Sequence, residues 1–179
     1  MSKKVNPYSH RLVVLRDWKS RWFSSGKKFA ETLRADVLIR DFLKKKLRSA
    51  YVSSIEIERS RKGARVLIKT SRPGAIIGRQ GEGAKKLRED LLVMMRKNNI
   101  AIPEDLKIDI QEVANPDADA AIVAYSIVEG LEKRMPFKRV IKMALDKVMA
   151  SRDVKGARIV VSGRLNGADM ARKEEVKAG

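Results

Sequence analysis

Residues 72–82 read RPGAIIGRQGE, and these eleven residues organise the rest of the 179-residue chain. A proline–glycine pair and a short apolar run lead into Gly78-Arg79-Gln80-Gly81. Because glycine has no side chain, phosphate groups can approach the backbone there. The helix expected from Glu82 points its free N–H groups at the same place. With Arg79 as a charged donor, the segment predicts an RNA-binding loop formed by Gly78, Arg79, Gln80 and Gly81.

The patterns on both sides of this loop predict the neighbouring elements. Apolar residues recur every three to five positions over 28–47 and again over 82–97, which is typical of helices. Alternating apolar and polar residues predict strands at 51–58, 65–69 and 106–111, with a turn at Lys62-Gly63 between the first two. The order helix, strand, strand, short helix, glycine loop, helix, strand is similar to a KH module, whose G-x-x-G loop clamps about four nucleotides.

The pattern restarts near Asn115-Pro116, where we place a domain boundary. Two amphipathic helices follow, separated by Pro136, and a strand lies around 159–161. The residues after Gly167 are polar and predict no further element. We therefore divide the chain into a basic N-terminal arm at 1–24, a KH-type domain at 25–113 and a C-terminal α/β domain at 114–179.

The charge of the chain indicates what kind of partner it binds. The chain contains 40 Lys and Arg residues and 22 Asp and Glu residues, which gives a net charge of +18. Residues 1–48 alone contribute +10 of this charge. Solubility of a small domain needs a net charge of only about 2–8. The excess favours a polyanion, RNA or DNA before a membrane. Apolar runs are too short for a transmembrane span, and we expect a soluble cytoplasmic protein.

The composition excludes most catalytic sites. There is no Cys and one His, which excludes disulfides, thiolate sites and any site with two imidazoles. Gly78 and Gly83 have the spacing of a nucleotide-binding loop, but no Ser or Thr follows Lys85 to bind magnesium. Adjacent carboxylates such as Glu89-Asp90 diverge on a helix. We expect no enzyme, no cofactor and no metal.

The chain resembles the family of bacterial ribosomal protein S three, of the small subunit. Residues 72–82 resemble the family's KH segment, and VSGRLNGADMAR at 161–172 resembles its V-S-G-R-L-x-G-A-x-x-A-R signature. Further matches lie in the arm, at 4–12, in the aromatic segment at 18–23, and in the helices of the second domain, at 131–139. The resemblance implies an α+β fold. Its parts are an extended basic arm, a second-type KH domain with a three-stranded mixed sheet backed by helices, and a smaller α/β domain.

The resemblance also implies a function in translation. The family shapes the head of the small subunit, binds ribosomal RNA, and contacts messenger RNA at its entry channel, where it helps to position and unwind it. By motif match the messenger contacts are Lys138, Arg139 and Lys142. Helical spacing places these opposite an apolar stripe. The implied neighbours are the head proteins S ten and S fourteen. The candidate ribosomal RNA contacts are Lys3, Lys4, Arg11, Arg16, Lys19, Arg21, Lys27, Lys28, Arg164 and Arg172.

The sequence departs from the family pattern at three places. Gln80 stands where the family usually has a second basic residue, and Asn6 where it usually has His. The family normally continues beyond residue 179 with strands that complete the sheet of the second domain, which therefore looks incomplete. A different class, a transient KH-type regulator or ribosome assembly factor, is the alternative. An RNA-processing enzyme is disfavoured because a nucleophile, a metal cluster and a carboxylate pair are all lacking.

Overall fold

The structure is a computed structural model that describes residues 4–60 and 63–179, so Lys3 and part of the predicted turn at Lys62-Gly63 lie outside the described residues. The helices are α1 Pro7–His10, α2 Lys27–Lys46, α3 Pro73–Ile77, α4 Glu82–Lys97, α5 Ala120–Glu132 and α6 Phe137–Ala150. The strands are β1 Ser20–Arg21, β2 Val52–Arg59, β3 Gly63–Thr70, β4 Asp105–Glu112, β5 Ala157–Gly163 and β6 Arg172–Ala178. Among the described residues, no helix is long and apolar enough to cross a membrane. The same residues contain no group of three His, Cys, Asp or Glu side chains placed to hold a metal ion.

The KH domain is built on a mixed sheet in the order β1-β2-β3-β4. β2 and β3 are antiparallel, whereas β1 pairs with β2 and β4 with β3 in parallel. The mixed sheet is confirmed, but the expected three strands become four, because Ser20 and Arg21 of the arm pair with Ile57 and Glu58. A two-residue strand leaves no periodicity in the sequence. The arm is also less extended than expected, since it contains α1, capped by the side chain of Asn6.

One face of this sheet packs on α2, α3 and α4. Alternate residues of β3, from Ala64 through Val66 to Ile68, are buried against Leu43 of α2 and Leu91 of α4. Over the first half of α2, the apolar face that the sequence predicts is not the face that is buried. Three apolar residues there are about half exposed, namely Phe29, Leu33 and Val37.

In the second domain α6 packs on an antiparallel pair of strands, β5 and β6, while α5 packs on α6 and on β2. Its core holds Phe137 and Ile141 of α6 and Leu165 of the following turn. Strand β6 was not predicted, because its sequence RKEEVKA contains no run of alternating apolar residues. It is held by pairing with β5 and by an ion pair from Arg158 Nη2 to Glu175 Oε2 at 2.7 Å. The α+β class is confirmed, with a four-stranded mixed sheet in the first part of the chain and a two-stranded sheet in the second.

Candidate nucleic-acid interface

The arm is fixed to the KH domain by a buried carboxylate, that of Asp36 in α2. This side chain is 0% exposed. Its Oδ2 accepts hydrogen bonds from Ser20 Oγ at 2.9 Å and Trp22 Nε1 at 2.7 Å, and its Oδ1 accepts one from Arg59 Nε at 2.8 Å. A buried charge is tolerated when it is paired and hydrogen-bonded. Asp36 therefore joins the arm, α2 and β2 at one point.

A second contact lies one turn further along α2, at Arg40. Its Nη2 donates to the carbonyl of Lys19 at 2.9 Å, and that carbonyl also accepts the N–H of Ile57 at 2.9 Å. The ring of Trp22 packs on Phe29, with centroids 5.3 Å apart, while Trp18 is 54% exposed. Of the two tryptophans, Trp22 thus packs against the domain, whereas more than half of Trp18 is exposed to solvent.

The predicted cations in the arm and at the start of α2 divide into three groups. Arg21 is committed to the protein, because its guanidinium pairs with Asp17 at 2.7 Å, Glu58 at 2.6 Å and Glu56 at 3.4 Å. Others make weaker internal contacts, with Arg16 and Lys19 near the ring of Tyr8 and Arg11 donating to a carbonyl. The cations that form neither an ion pair nor a contact of this kind among the described residues are Lys4 in the arm and Lys27 and Lys28 at the start of α2.

Protonation of Asp17 should loosen the arm only in acid. The hydrogen bond from the Trp18 backbone N–H, helped by Arg21, lowers the pKa of Asp17 below its usual value. A lowered pKa in the folded state means that the ionised group stabilises the fold above its unfolded-state pKa, near 4, and that this contribution is lost as the pH falls through the folded value. In an NMR titration, Arg21→Gln should raise the pKa of Asp17 only partly, because the Trp18 hydrogen bond remains. An unchanged pKa would contradict this assignment.

The glycine loop has the open backbone that the sequence predicts. Gly78 has φ 69°, and Gln80 and Gly81 have left-handed backbones with φ 51° and 80°. Helix α4 starts at Glu82, and no side chain in the described part of the chain caps its first N–H groups. Gly78, Arg79 and Gln80 are exposed. The loop thus presents unobstructed backbone, free N–H donors and one guanidinium to solvent.

The sequence reasoning gave no structural role to Gly83, just after the loop. A Cβ atom at Gly83 would lie 2.5 Å from the carbonyl oxygen of Ile76 and 3.0 Å from that of Ile77. The end of α3 therefore packs directly on the backbone of α4, and this contact sets the geometry of the loop. The spacing G-x-x-G-x-G was a usable signal. The exposed Lys85 and Lys86, one turn into α4, add cations near the loop that were also missed.

The three predicted messenger contacts lie at the start of α6. Lys138, Arg139 and Lys142 are exposed, while the intervening Val140 and Ile141 are buried. None of the three forms an ion pair with another described residue. The helix therefore presents an unneutralised positive surface.

Two further predicted cations belong to the second domain. The Arg172 guanidinium lies 5.6 Å from the centroid of the Phe137 ring, so it sits beside the beginning of α6. Arg164 instead turns to its own loop, donating to the carbonyl of Ala168 at 2.9 Å and pairing with Asp169 at 3.4 Å. The structure brings Arg172, but not Arg164, towards the surface of α6.

Comparison with known proteins gives matches over most of the chain. The family model described as KH domain matches residues 38–118, and that described as Ribosomal protein S3, C-terminal domain, matches 127–179. The small ribosomal subunit protein uS3 of Nitrosomonas europaea is 42% identical over 179 residues, which are 100% of this chain and 80% of that protein. The proteins of the same name from Caldicellulosiruptor saccharolyticus and Polynucleobacter asymbioticus are 42% and 41% identical over the whole chain, which spans 78% and 62% of their lengths.

Proposed function

The chain belongs to the ribosomal protein S3 family, and from this we propose that it is a constituent of the small ribosomal subunit that binds ribosomal RNA and messenger RNA. A protein of this family is a structural RNA-binding protein and not an enzyme. The relatives that match over the full chain are named for the small ribosomal subunit, which supports an association with the ribosome. Its location is then the cytoplasm.

Ribosomal RNA binds the arm and the glycine loop. Phosphate contacts dominate such binding and position the protein without reading sequence. The strongest candidates are Lys4 in the arm and Lys27 and Lys28 at the start of α2, because their side chains are exposed and form no ion pair, hydrogen bond or aromatic contact with a described residue. Arg21 and Arg164 contribute less, since carboxylates already neutralise them.

Messenger RNA contacts the surface formed by Lys138, Arg139 and Lys142 at the entry channel in the head. The observation that carries this proposal is the combination of three exposed, unneutralised cations with a buried anchor on the same helix. A rigid helix that holds several charges can contact the phosphates of a moving strand without base specificity. The charges then assist unwinding by holding the single strand as it enters.

Replacing Lys138, Arg139 and Lys142 together with Ala should slow the unwinding of structured messages on reconstituted subunits by several-fold. Incorporation into subunits should stay nearly intact, because the three side chains are exposed and the buried face of α6 is unchanged. The matched control removes three charges elsewhere in the domain, with Lys147, Arg152 and Lys155 replaced by Ala. Unwinding at the wild-type rate in the first variant would refute the messenger assignment.

Residence on the subunit is tested by sedimentation in sucrose gradients after a high-salt wash. A structural constituent stays with the small subunit. Release into the top fractions would instead indicate a transient regulator or assembly factor. Crosslinking on intact subunits tests the proposed neighbours, the head proteins S ten and S fourteen.

A further inference from the structure

Before the start of α3, the guanidinium of Arg72 lies over the aromatic ring of Tyr51. The guanidinium carbon of Arg72 is 4.1 Å from the centroid of the Tyr51 ring, within cation–π distance. Arg72 is exposed, and no described carboxylate pairs with it. The guanidinium therefore lies over the ring while Arg72 remains exposed to solvent.

The backbone holds this pair in place. The buried Thr70 donates its hydroxyl to the carbonyl of Ala50 and accepts the N–H of Arg72 at 3.1 Å. Tyr51 has a left-handed backbone, with φ 50° and ψ 65°, and Pro73 restricts the chain after Arg72. A bulky residue adopts this conformation only where its surroundings impose it. The ring and the guanidinium thus form a pre-arranged platform.

The platform borders a cleft of about 340 Å³ between the KH domain and α5. Tyr125 of α5 lines the same cleft. The carboxylates that line it already have cationic partners, in the pairs Glu129–Lys133 and Glu132–Arg48. Arg72 is then the charged residue around Tyr51 that has no partner of opposite charge among the described residues. Aromatic walls and a single free cation suit a planar group with a negative substituent.

We propose that this cleft is an additional RNA contact, in which an unpaired base stacks on the accessible face of Arg72 while a phosphate accepts hydrogen bonds from its N–H edge. The inference rests on the proposed RNA binding of the chain. Unpaired RNA bases stack on aromatic rings and on guanidinium planes. Arginine supplies both a flat face and a fork of donors, which lysine cannot.

The position of the platform fits a strand that also meets the glycine loop. Helix α3 begins directly after Arg72 and ends before Gly78. Its five residues span about 7.5 Å. A single strand that is bound at the loop and follows α3 would therefore reach Arg72 within a few nucleotides. The cleft extends the contacted strand beyond the loop.

The test uses the full chain and a short, labelled, unstructured RNA, with affinity measured by fluorescence anisotropy. Tyr51→Asn removes the ring but keeps a residue that tolerates the left-handed backbone. Arg72→Lys keeps the charge but removes the plane. Each variant should weaken binding about tenfold, as expected for the loss of one stacked base. Against an abasic RNA of the same length at low salt, each should change affinity less than about twofold, because the phosphates remain.

The controls separate the cleft from the glycine loop. Tyr51→Phe and the surface variant Arg88→Lys should bind RNA like the wild type, and unchanged melting curves should show that every variant folds. Gly81→Asp tests the loop alone. If Gly81→Asp weakens binding while Tyr51→Asn and Arg72→Lys do not, the cleft inference is overturned and the proposed function stands. If the wild-type chain binds no RNA, the proposed function fails and the inference fails with it.

Discussion

Replacing Asp36 with Ala should lower the free energy of unfolding by about 3–5 kcal/mol, the usual cost of removing one partner from a buried ion pair. The substitution leaves the guanidinium of Arg59, only 16% exposed, without its counter-charge. One of its nitrogens, Nη2, lies 2.7 Å from the carboxylate yet has no aligned hydrogen bond, so little compensation is available. Ser20 and Trp22 lose their acceptor as well.

The same substitution should release the arm. Chemical denaturation gives the change in stability, and limited proteolysis with mapped cleavage sites shows whether residues 19–22 become accessible before the domain unfolds. Asp41→Ala, at an exposed position of the same helix, is the matched control and should change stability by less than about 0.5 kcal/mol. An Asp36→Ala protein as stable and as protease-resistant as the control would show that Asp36 does not hold the arm.

Replacing Gly83 with Ala should lower the free energy of unfolding by about 2–3 kcal/mol and impair the RNA binding that we propose for the glycine loop. The added Cβ would meet the carbonyl oxygens of Ile76 and Ile77, and these are backbone atoms that move only if α3 moves. A shift of α3 changes the position of Gly78 relative to α4. Loss of stability and loss of RNA affinity are therefore expected together.

The control for this prediction is Gly74→Ala, within α3 itself. A Cβ atom at Gly74 meets nothing within 4 Å, so the variant should be neutral or more stable by up to about 1 kcal/mol. Thermal melting and anisotropy with single-stranded RNA measure both effects. Wild-type stability in Gly83→Ala would mean that the two helices do not pack as closely as described.

The KH core was predictable because burial on one face of a sheet repeats every second residue. Val66 and Ile68 alternate with Arg65 and Lys69, and the same rule located β2 and β4. The glycine loop was predictable for another reason, since glycine adopts positive φ angles readily and leaves the backbone at Gly78 and Gly81 without a side chain. Where the local sequence alone determines the backbone conformation, that conformation can be predicted from the sequence.

The remaining elements depend on contacts between distant residues. Asp36 looks like a surface residue of an amphipathic helix, and only the fold shows that Trp22 and Arg59 reach it. Strand β1 exists because the carbonyl of Lys19 meets the N–H of Ile57. The partial neutralisation of Arg21 likewise follows from the sheet, which places Glu56 and Glu58 beside it. A count of charges along the sequence does not show which cations are paired with carboxylates of the protein and which are free to bind a partner.

The pairing of β1 with β2 also affects the chain before it meets RNA. An uncovered strand border invites pairing with another molecule, and proteins limit this with very short outer strands and with charged residues. On one border, β1 covers β2 but is only two residues long and carries Arg21. On the other, β4 carries Asp105, Lys107 and Glu112. The short strand β1 and the charges of β4 thus limit pairing with another molecule at both edges of the sheet, and at one edge this protection comes from the arm for which we propose RNA binding.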